Sequence, residues 1–282
     1  MMLSPQIVKK ILEFVYAKPR SIQEVAELIG KNWRTADRYV EEIVKETGNI
    51  AVRTFREGTK GALKVVYWIN TEKIHSTEFQ ERLLKRIENK SKDEFSPFEI
   101  YQYVDENKRH AVVIDIGNKA FKDCVRDYLE RAGNQILSFS GNLSWINTQE
   151  KGKKLIDVVE NLAKRRISIK ILSRVTIDSM NNVKKILMIN EKLGKNMIEV
   201  RHCEQPLRGF VIDSQLVRLR EMKKALDYKE GELDKNVMIF YEIFDPEWIE
   251  WFKKVFWYFF RFSIPAEKRI KDLESIRNIY KI

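Results

Sequence analysis

The chain has 282 residues, with 52 Lys+Arg against 41 Asp+Glu and a formal net charge of +11. Hydrophobic residues make up 44%, which excludes global disorder and leaves room for about two domains at roughly 100–200 residues each. Only 11 Gly and 6 Pro are present, too few for a collagen-like or low-complexity chain, and short loops between long elements are expected.

Two cysteines, Cys124 and Cys203, cannot build a disulfide framework, so a reducing compartment is expected. The opening MMLSPQIVKKILEF mixes lysines into its apolar positions and lacks the uninterrupted core of a signal peptide. The greasiest stretch, Trp248 to Phe262, is broken by Lys253 and Lys254, short of the roughly 18 apolar residues of a membrane span. A soluble, cytoplasmic protein is expected. Its excess charge has two readings at this point: attraction to a polyanion, or the ion-paired surface of a heat-adapted Lys-, Glu- and Ile-rich chain.

The first seventy residues open with three short helical patterns. Ile7, Val8, Ile11, Leu12 and Val15 recur at helical spacing from Pro5 to Ala17, and Lys18-Pro19-Arg20 breaks the run. Ser21 and Glu24 form a capping box for a second helix with Ile22, Val25, Ala26 and Ile29 on one face, stopped by Gly30. Asn32 is a good N-cap for a third helix running to about Glu46 and closed by Gly48. Its buried stripe is Ala36, Val40 and Ile43 with Val44. A short turn between the second and third helices fits a helix-turn-helix.

Asn32, Trp33, Arg34, Thr35, Arg38 and Tyr39 crowd the first turns of the third helix. Arg can read guanine, Asn can read adenine, and Thr or an aromatic ring can touch a thymine methyl. The bland alternative is a solvated helix face with Trp33 packed on a neighbour. Two β-rich runs follow, Ile50 to Phe55 and Leu63 to Ile69, around the glycine-bearing turn Arg56-Glu57-Gly58-Thr59-Lys60-Gly61. Three helices and a basic hairpin make a winged helix, whose wing meets phosphates or a minor groove. Arg53, Arg56, Lys60 and Lys64 are its candidate contacts, and residues 1–70 hold 12 Lys+Arg against 8 Asp+Glu, a net +4.

The segment SIQEVAELIGKNWRTADRYVEEI resembles the helix-turn-helix of archaeal and bacterial winged-helix transcription regulators. The resemblance implies a double-stranded DNA partner, with docking to another protein as the rival use of such a module. Residues 71–98 carry EFQERLLKRIEN, with Phe79, Leu83 and Ile87 four apart. That stripe fits either domain or its own copy in a dimer. Ser91 to Pro97 reads as a break.

Beyond Pro97, strands and helices alternate, as in an α/β domain. Strands are predicted at Ala111–Ile116, Gln135–Ser140, Ile167–Leu172, Ile198–Cys203, Gly209–Ile212, Leu216–Arg220 and Val237–Tyr241. Helices are predicted at Lys119–Ala132, Glu150–Arg165, Asp178–Leu193 and Pro246–Phe262, the last with Asp245 as N-cap. The chain is therefore read as α+β: a winged helix over 1–70, a linker helix over 71–98 and an α/β domain over 99–282.

One segment carries chemistry, Arg201-His202-Cys203-Glu204-Gln205-Pro206-Leu207-Arg208-Gly209-Phe210-Val211-Ile212-Asp213. It is similar to the His-x-Lys-x4-Asp frame of the phospholipase D superfamily, in which the His attacks a phosphodiester, the Lys holds the phosphate and the Asp orients its partners. Here the frame reads Pro206-x-Arg208-x4-Asp213. Proline offers no nucleophile, so the covalent mechanism cannot run there. His202 does not restore the frame, because its own +2 residue is Glu204. The family's Gly-Ser-x-Asn is also missing, and Arg218, Arg220, Glu221 and Lys223 occupy that region.

A winged helix joined to such a degenerate domain resembles the archaeal TrmB-like transcription regulators. The resemblance implies a homodimer, since a single phospholipase-D-like repeat normally completes its fold by pairing, and an effector site rather than a catalytic one. Pro206, Arg208, Asp213, Arg218, Arg220 and Glu221 are its candidate residues, suited to an anionic or sugar-like ligand. Arg208 pairing with Asp213 or Glu221 is the plain structural alternative. No cofactor and no metal is expected: His75, His110 and His202 are scattered, and neither CxxC, HExxH, GxGxxG nor a Walker A loop occurs. A non-sequence-specific chromatin protein and a phosphodiesterase or nuclease are the rival functions.

Overall fold

The computed structural model describes residues 3–55, 63–68, 77–88, 90–115, 125–229 and 232–280. In chain order the elements are α1 (Pro5–Ala17), β1 (Arg20–Ser21), α2 (Ile22–Ile29), α3 (Trp33–Thr47), β2 (Ile50–Phe55), β3 (Leu63–Trp68), α4 (Thr77–Glu88), α5 (Phe98–Tyr101) and β4 (Arg109–Asp115). They continue with α6 (Val125–Leu129), β5 (Gln135–Phe139), β6 (Gln149–Glu150), β7 (Lys153–Lys154), α7 (Leu155–Lys164), β8 (Ser168–Ser173), α8 (Met180–Leu193) and β9 (Ile198–His202). The last are β10 (Gly209–Ile212), β11 (Leu216–Lys223), β12 (Val237–Ile243), α9 (Pro246–Phe262), β13 (Ile264–Pro265) and α10 (Ala266–Tyr280). The fold is α+β.

The chain divides into two compact units that do not follow its linear order. One holds Met1–Glu81, Ser96–Phe121 and Glu221–Tyr241; the other holds Arg82–Phe95, Lys122–Arg220 and Glu242–Ile282. In the first, α1, α2 and α3 bury Ile11, Val15, Ile22, Val25, Ala26, Ala36, Val40 and Ile43 around Ile50 and Val66 of a small antiparallel sheet ordered β1-β3-β2. The β2–β3 register runs from Ile50 opposite Trp68 to Phe55 opposite Leu63, so the ladder is intact up to the wing turn. The turn itself, with Arg56 and Lys60, lies outside the described residues.

The larger sheet has the strand order β13-β9-β8-β5-β10-β11-β12-β4. Strands β5, β8 and β9 run parallel to one another and belong to the second unit. Side chains alternate between faces along each strand. Ile136, Ile169, Ile171, Ile198, Val200 and Ile212 point to one face and are buried with α7, α8 and α10. Phe139, one step out of phase, points to the other and packs edge-to-face on Phe256 of α9, with ring centroids 5.3 Å apart.

Three expectations change, and parts of others lie outside the described residues. Glu150 does not start a helix: residues 149–154 are the hairpin β6–β7, turning through Lys151 at φ 48° and Gly152 at φ 76°. The Glu150 carboxylate instead accepts the Val125 and Arg126 N–H groups at 3.3 and 2.9 Å, capping α6. That helix occupies only Val125–Leu129 among the described residues; Lys119 to Cys124 of the expected helix lie outside them. The terminal helix α10 was not expected from the sequence. Ile116 and Ile69, ends of two expected strands, also fall outside the described residues.

Candidate nucleic-acid interface and arginine pocket

The approach to α3 is fixed by local bonds. The Glu24 N–H donates to Ser21 Oγ at 3.1 Å and the Ser21 N–H to Glu24 Oε2 at 2.8 Å, closing the capping box on α2. Gly30 ends α2 at φ 64°, a conformation that costs side-chain-bearing residues about 1 kcal/mol or more. Two residues later Asn32 Oδ1 accepts the Thr35 N–H at 2.9 Å and starts α3. Ala36, Val40 and Ile43 are fully buried, so the opposite side of α3 is presented to solvent.

That exposed side sorts the predicted contacts into two groups. Lys31, Arg34 and Arg38 are exposed and have no carboxylate partner among the described residues. Trp33 is 38% exposed. Asn32 is exposed but committed to its cap, while Thr35 and Tyr39 are partly covered, Tyr39 against the helical core. Lys64 is not a free phosphate contact. Its ammonium sits 2.6 and 2.8 Å from the two Asp37 oxygens and 5.8 Å from the Trp33 ring centroid, so it ties β3 to α3. Arg53 packs its guanidinium over Phe55 and Tyr101, 5.8 and 5.4 Å from the ring centroids. Lys31 was overlooked in the sequence; its signal is a cation one residue before an N-cap.

The helix itself is not basic. Between Trp33 and Thr47 there are 3 Lys+Arg and 4 Asp+Glu, with both arginines in the first two turns. Only the N-terminal end of α3 is suited to a polyanion, and there the helix dipole adds to the positive charge.

The second candidate site lies at the carboxyl edge of the parallel strands. Gly209 pairs with both Phe139 and Leu219, Phe139 with Leu172, and Ser173 with His202. One step beyond Leu219, Gly209 and Phe139 stand Arg220, Arg208 and Ser140, and with the Ser173–His202 pair they form a row along the edge of β11, β10, β5, β8 and β9. All five share the strand face that carries Ile136, Ile171 and Ile212. Carboxyl ends of parallel strands are where open α/β sheets take ligands.

Arg208 stands second in that row, next to Arg220. Its Nη1 donates to the Gln205 and Leu207 carbonyls at 2.8 and 2.6 Å, which fixes the guanidinium. It lies across Gly141, where a Cβ would come within 2.9 Å of Nε. Its Nε and Nη2 have no acceptor among the described residues. Burial, then Arg220 and Arg174, push its pKa down to about 10, with Asp93 acting weakly the other way. It stays a cation at neutral pH. Arg174 is anchored through its backbone: its N–H donates to the Gly141 carbonyl at 2.7 Å, and its carbonyl accepts from Ser179 Oγ at 2.9 Å. Burial also lowers Arg220.

The other candidates of this group are engaged elsewhere. Asp213 accepts the N–H groups of Gly133, Asn134 and Gln135 at 2.8, 3.0 and 2.7 Å. It sits at the opposite end of β10, about 16 Å from Arg208 at roughly 3.3 Å per residue, and pins the loop into β5. Arg218 is buried, ion-paired with Glu242 at 3.0 Å, and stacked over Tyr128. Glu221 accepts from Lys223 Nζ and from the Tyr241 hydroxyl. Neither Asp213 nor Glu221 pairs with Arg208. Pro206 is buried. Arg174 went unnoticed, although it follows directly on Ile171-Leu172-Ser173 at the end of β8.

His202 completes the row. Its Nδ1 accepts the Val175 N–H at 2.9 Å, which places the proton of the neutral ring on Nε2. Burial and then Arg269 lower its pKa, with Glu204 opposing, so the neutral form is favoured. A protonated Nε2 is a donor without a lone pair to attack phosphorus. Among the described residues no three His, Cys, Asp or Glu side chains converge as metal ligands. No helix among them is long and apolar enough to cross a membrane.

No protein-family model and no curated protein matches the chain. Solved structures give distant likenesses. TrmBL2, described as an archaeal chromatin protein with a novel mode of DNA binding, is 16% identical over 93% of this chain and 94% of its own, with a TM-score of 0.40. Nuc from Salmonella typhimurium, a phospholipase D family member, is 11% identical over 56% of this chain and 98% of its own, at 0.40. NucT from Helicobacter pylori is 11% identical over 56% and 99%, at 0.37.

Proposed function

We propose that this chain is a DNA-binding transcription regulator that acts as a homodimer in the cytoplasm. Residues 1–70 form the winged-helix reader, 71–98 the linking helix, and 99–282 a non-hydrolytic domain that serves dimerisation and the sensing of an anionic effector. The observation that carries the reading is the N-terminal end of α3. Lys31, Arg34 and Arg38 stand exposed beside Trp33 without carboxylate partners among the described residues, while Lys64 neutralises Asp37 on the same helix. The arrangement suits base edges and phosphates reached from one end of a helix.

Replacing Arg34 and Arg38 together by Ala tests it. Duplex affinity is expected to fall by about 2–6 kcal/mol, at roughly 1–3 per good contact, with the fold retained because both side chains are exposed. Unchanged affinity in the folded double variant overturns the assignment. Footprinting on genomic DNA separates a regulator, which protects discrete sites, from a chromatin protein, which protects DNA uniformly. The proton on His202 Nε2 and the proline at position 206 argue against phosphodiester cleavage. A phosphodiesterase assay on the native protein that gave turnover, abolished by His202→Ala, would reverse the non-enzymatic reading.

A further inference from the structure

We propose that the amino edge of β5, β8 and β9 is a second contact for the DNA backbone, in which Arg131, Arg166 and Lys195 neutralise phosphates of a duplex. The inference rests on the DNA-binding reading given above and adds to it a surface separate from α3. The three cations lie within the second unit, between Lys122 and Arg220.

Strand register brings these cations together. Gln135 pairs with Ser168, and Ile169 with Ile198. The segments leading into β5, β8 and β9 therefore run side by side, carrying Arg131, Arg166 and Lys195 respectively. Two backbone bonds hold the alignment: the Ser168 N–H donates to the Asn134 carbonyl and the Ile169 N–H to the Met197 carbonyl, both at 2.9 Å. Neighbouring strands lie about 4.8 Å apart, so the three segments span about 10 Å, the axial rise of about three phosphates on one DNA strand. Residues 130–134, 164–167, 192–196 and 213–215 build this edge and hold six Lys+Arg against two Asp+Glu.

Sorting the local charges isolates the three. Lys164 and Lys192 share Glu160, each at 2.7 Å, and Arg126 takes Glu130 at 2.8 Å. Asp213 is occupied by its three backbone N–H donors. Arg165 donates to the Glu130 and Ala132 carbonyls at 3.2 and 2.9 Å, so it serves the end of α6. Arg131, Arg166 and Lys195 are exposed, and among the described residues their side chains have no carboxylate or carbonyl acceptor, Glu191 beside Lys195 included. The C-terminal ends of α6, α7 and α8 bring at most roughly half a negative charge each, which leaves the edge positive.

Arg166 stands where this chain elsewhere uses glycine. It closes α7 at φ 66°, with its N–H donating to the Ala163 carbonyl at 3.0 Å. Helices α2, α3 and α8 close on Gly30, Gly48 and Gly194 at φ 64°, 63° and 62°. A left-handed backbone disfavours any residue with a side chain. An arginine held there without a partner inside the protein is explained by what it meets outside. Asn134 and Asn196 flank the row with exposed amides that can donate to phosphate oxygens. No large apolar side chain is exposed along this edge among the described residues. The surface thus lacks the apolar centre of a protein interface and suits a polyanion.

The test is the salt dependence of duplex binding by the full chain carrying Arg131→Ala, Arg166→Gly and Lys195→Ala. With one phosphate per cation, the slope of log K against log[salt] should become shallower by about 2.7 per bound copy, and affinity at low salt should fall by about tenfold or more. The melting temperature should hold or rise, because the three side chains are exposed and glycine suits the backbone at 166. Lys254→Ala with Lys268→Ala and Lys271→Ala removes three exposed cations from α9 and α10 as a charge-matched control, and should change the slope by less than half as much. Bound duplex should also slow acetylation of Lys195 in the native chain several-fold. Equal slope changes in the two triple variants mean that net charge alone acts and overturn the site. Native affinity in the edge variant, or a Lys195 equally reactive with and without duplex, overturns it too. Those results leave Arg34 and Arg38 as the DNA contacts, whereas a native chain that ignores duplex ends the DNA-binding reading itself.

Discussion

Lys64 shows how a residue's charge and its role can part company. In the sequence it is one more cation on a wing; in the structure it is the partner of Asp37, with 22% and 16% of the two side chains exposed. Removing it strands a partly buried carboxylate. Lys64→Ala should therefore lower stability by about 1.5–3 kcal/mol in thermal or urea unfolding, the range for hydrogen bonds to charged groups, and Asp37→Asn should recover part of the loss. The salt dependence of duplex binding should hardly move, and a slope made shallower by one or two units would return Lys64 to the interface. Glu232 is the other instructive residue. Burial holds its carboxyl above the ordinary range, aided by Glu24, while the Gln23 N–H donates to it at 3.2 Å. A raised carboxyl pKa means the folded state binds more protons than the unfolded state between the unfolded value, about 4.5, and the raised folded value. Its favourable contribution is complete below that pH and is lost as pH rises through the folded value. Glu232→Gln should remove this fall from the stability-versus-pH curve, and an unaltered curve would refute the assignment.

At the scale of elements, the caps decide what can be read in advance. The limits of α2, α3 and α9 follow from Ser21/Glu24, Gly30, Asn32, Gly48 and Asp245, because each supplies a bond or a backbone conformation within a few residues. The site residues on α3 were legible for the same reason: a periodic apolar stripe fixes which side is left exposed. The hairpin at 149–154 was not, since the apolar run from Leu155 onward extends a helical pattern backward past the Lys151-Gly152 turn. Helix α10 escaped notice because, among its described side chains, only Ala266, Ile270 and Leu273 are buried along its charged length. The Asp213 clamp and the Glu150 cap join residues 78–80 and 24–25 apart in the chain, and no local pattern reveals such partners. The same distance hides Arg174 from Arg208. Asn32→Ala tests the cap directly. It should cost about 0.5–2 kcal/mol of stability, and Asn32→Asp, which keeps the cap, should restore most of it. If Asn32 also reads a base, Asn32→Asp will remain weak in duplex binding while its melting temperature recovers.

For the whole molecule the net charge of +11 becomes informative once its members are sorted. On the proposed reading face, Lys31, Arg34 and Arg38 are the described cations without carboxylate partners; Arg56 and Lys60, expected from the sequence at the wing turn, lie outside the described residues. Each phosphate neutralised contributes about −0.9 to the slope of log K against log[salt]. A homodimer on two half-sites about 34–36 Å apart uses every cation twice. The absolute slope alone cannot count subunits, because a dimer without wing contacts and a monomer with them both give values near −5. The change on mutation can. Arg34→Ala with Arg38→Ala removes four contacts from a dimer and two from a monomer, so the slope should become shallower by about 3.6 or about 1.8. We expect the larger value, measured on a duplex long enough for both half-sites, together with half of it on a duplex carrying one. The smaller change on both duplexes would mean that one copy binds alone and would remove the dimer from the proposed function. A slope near zero in the native protein would mean that its positive excess only balances its own surface, with the winged helix docking another protein.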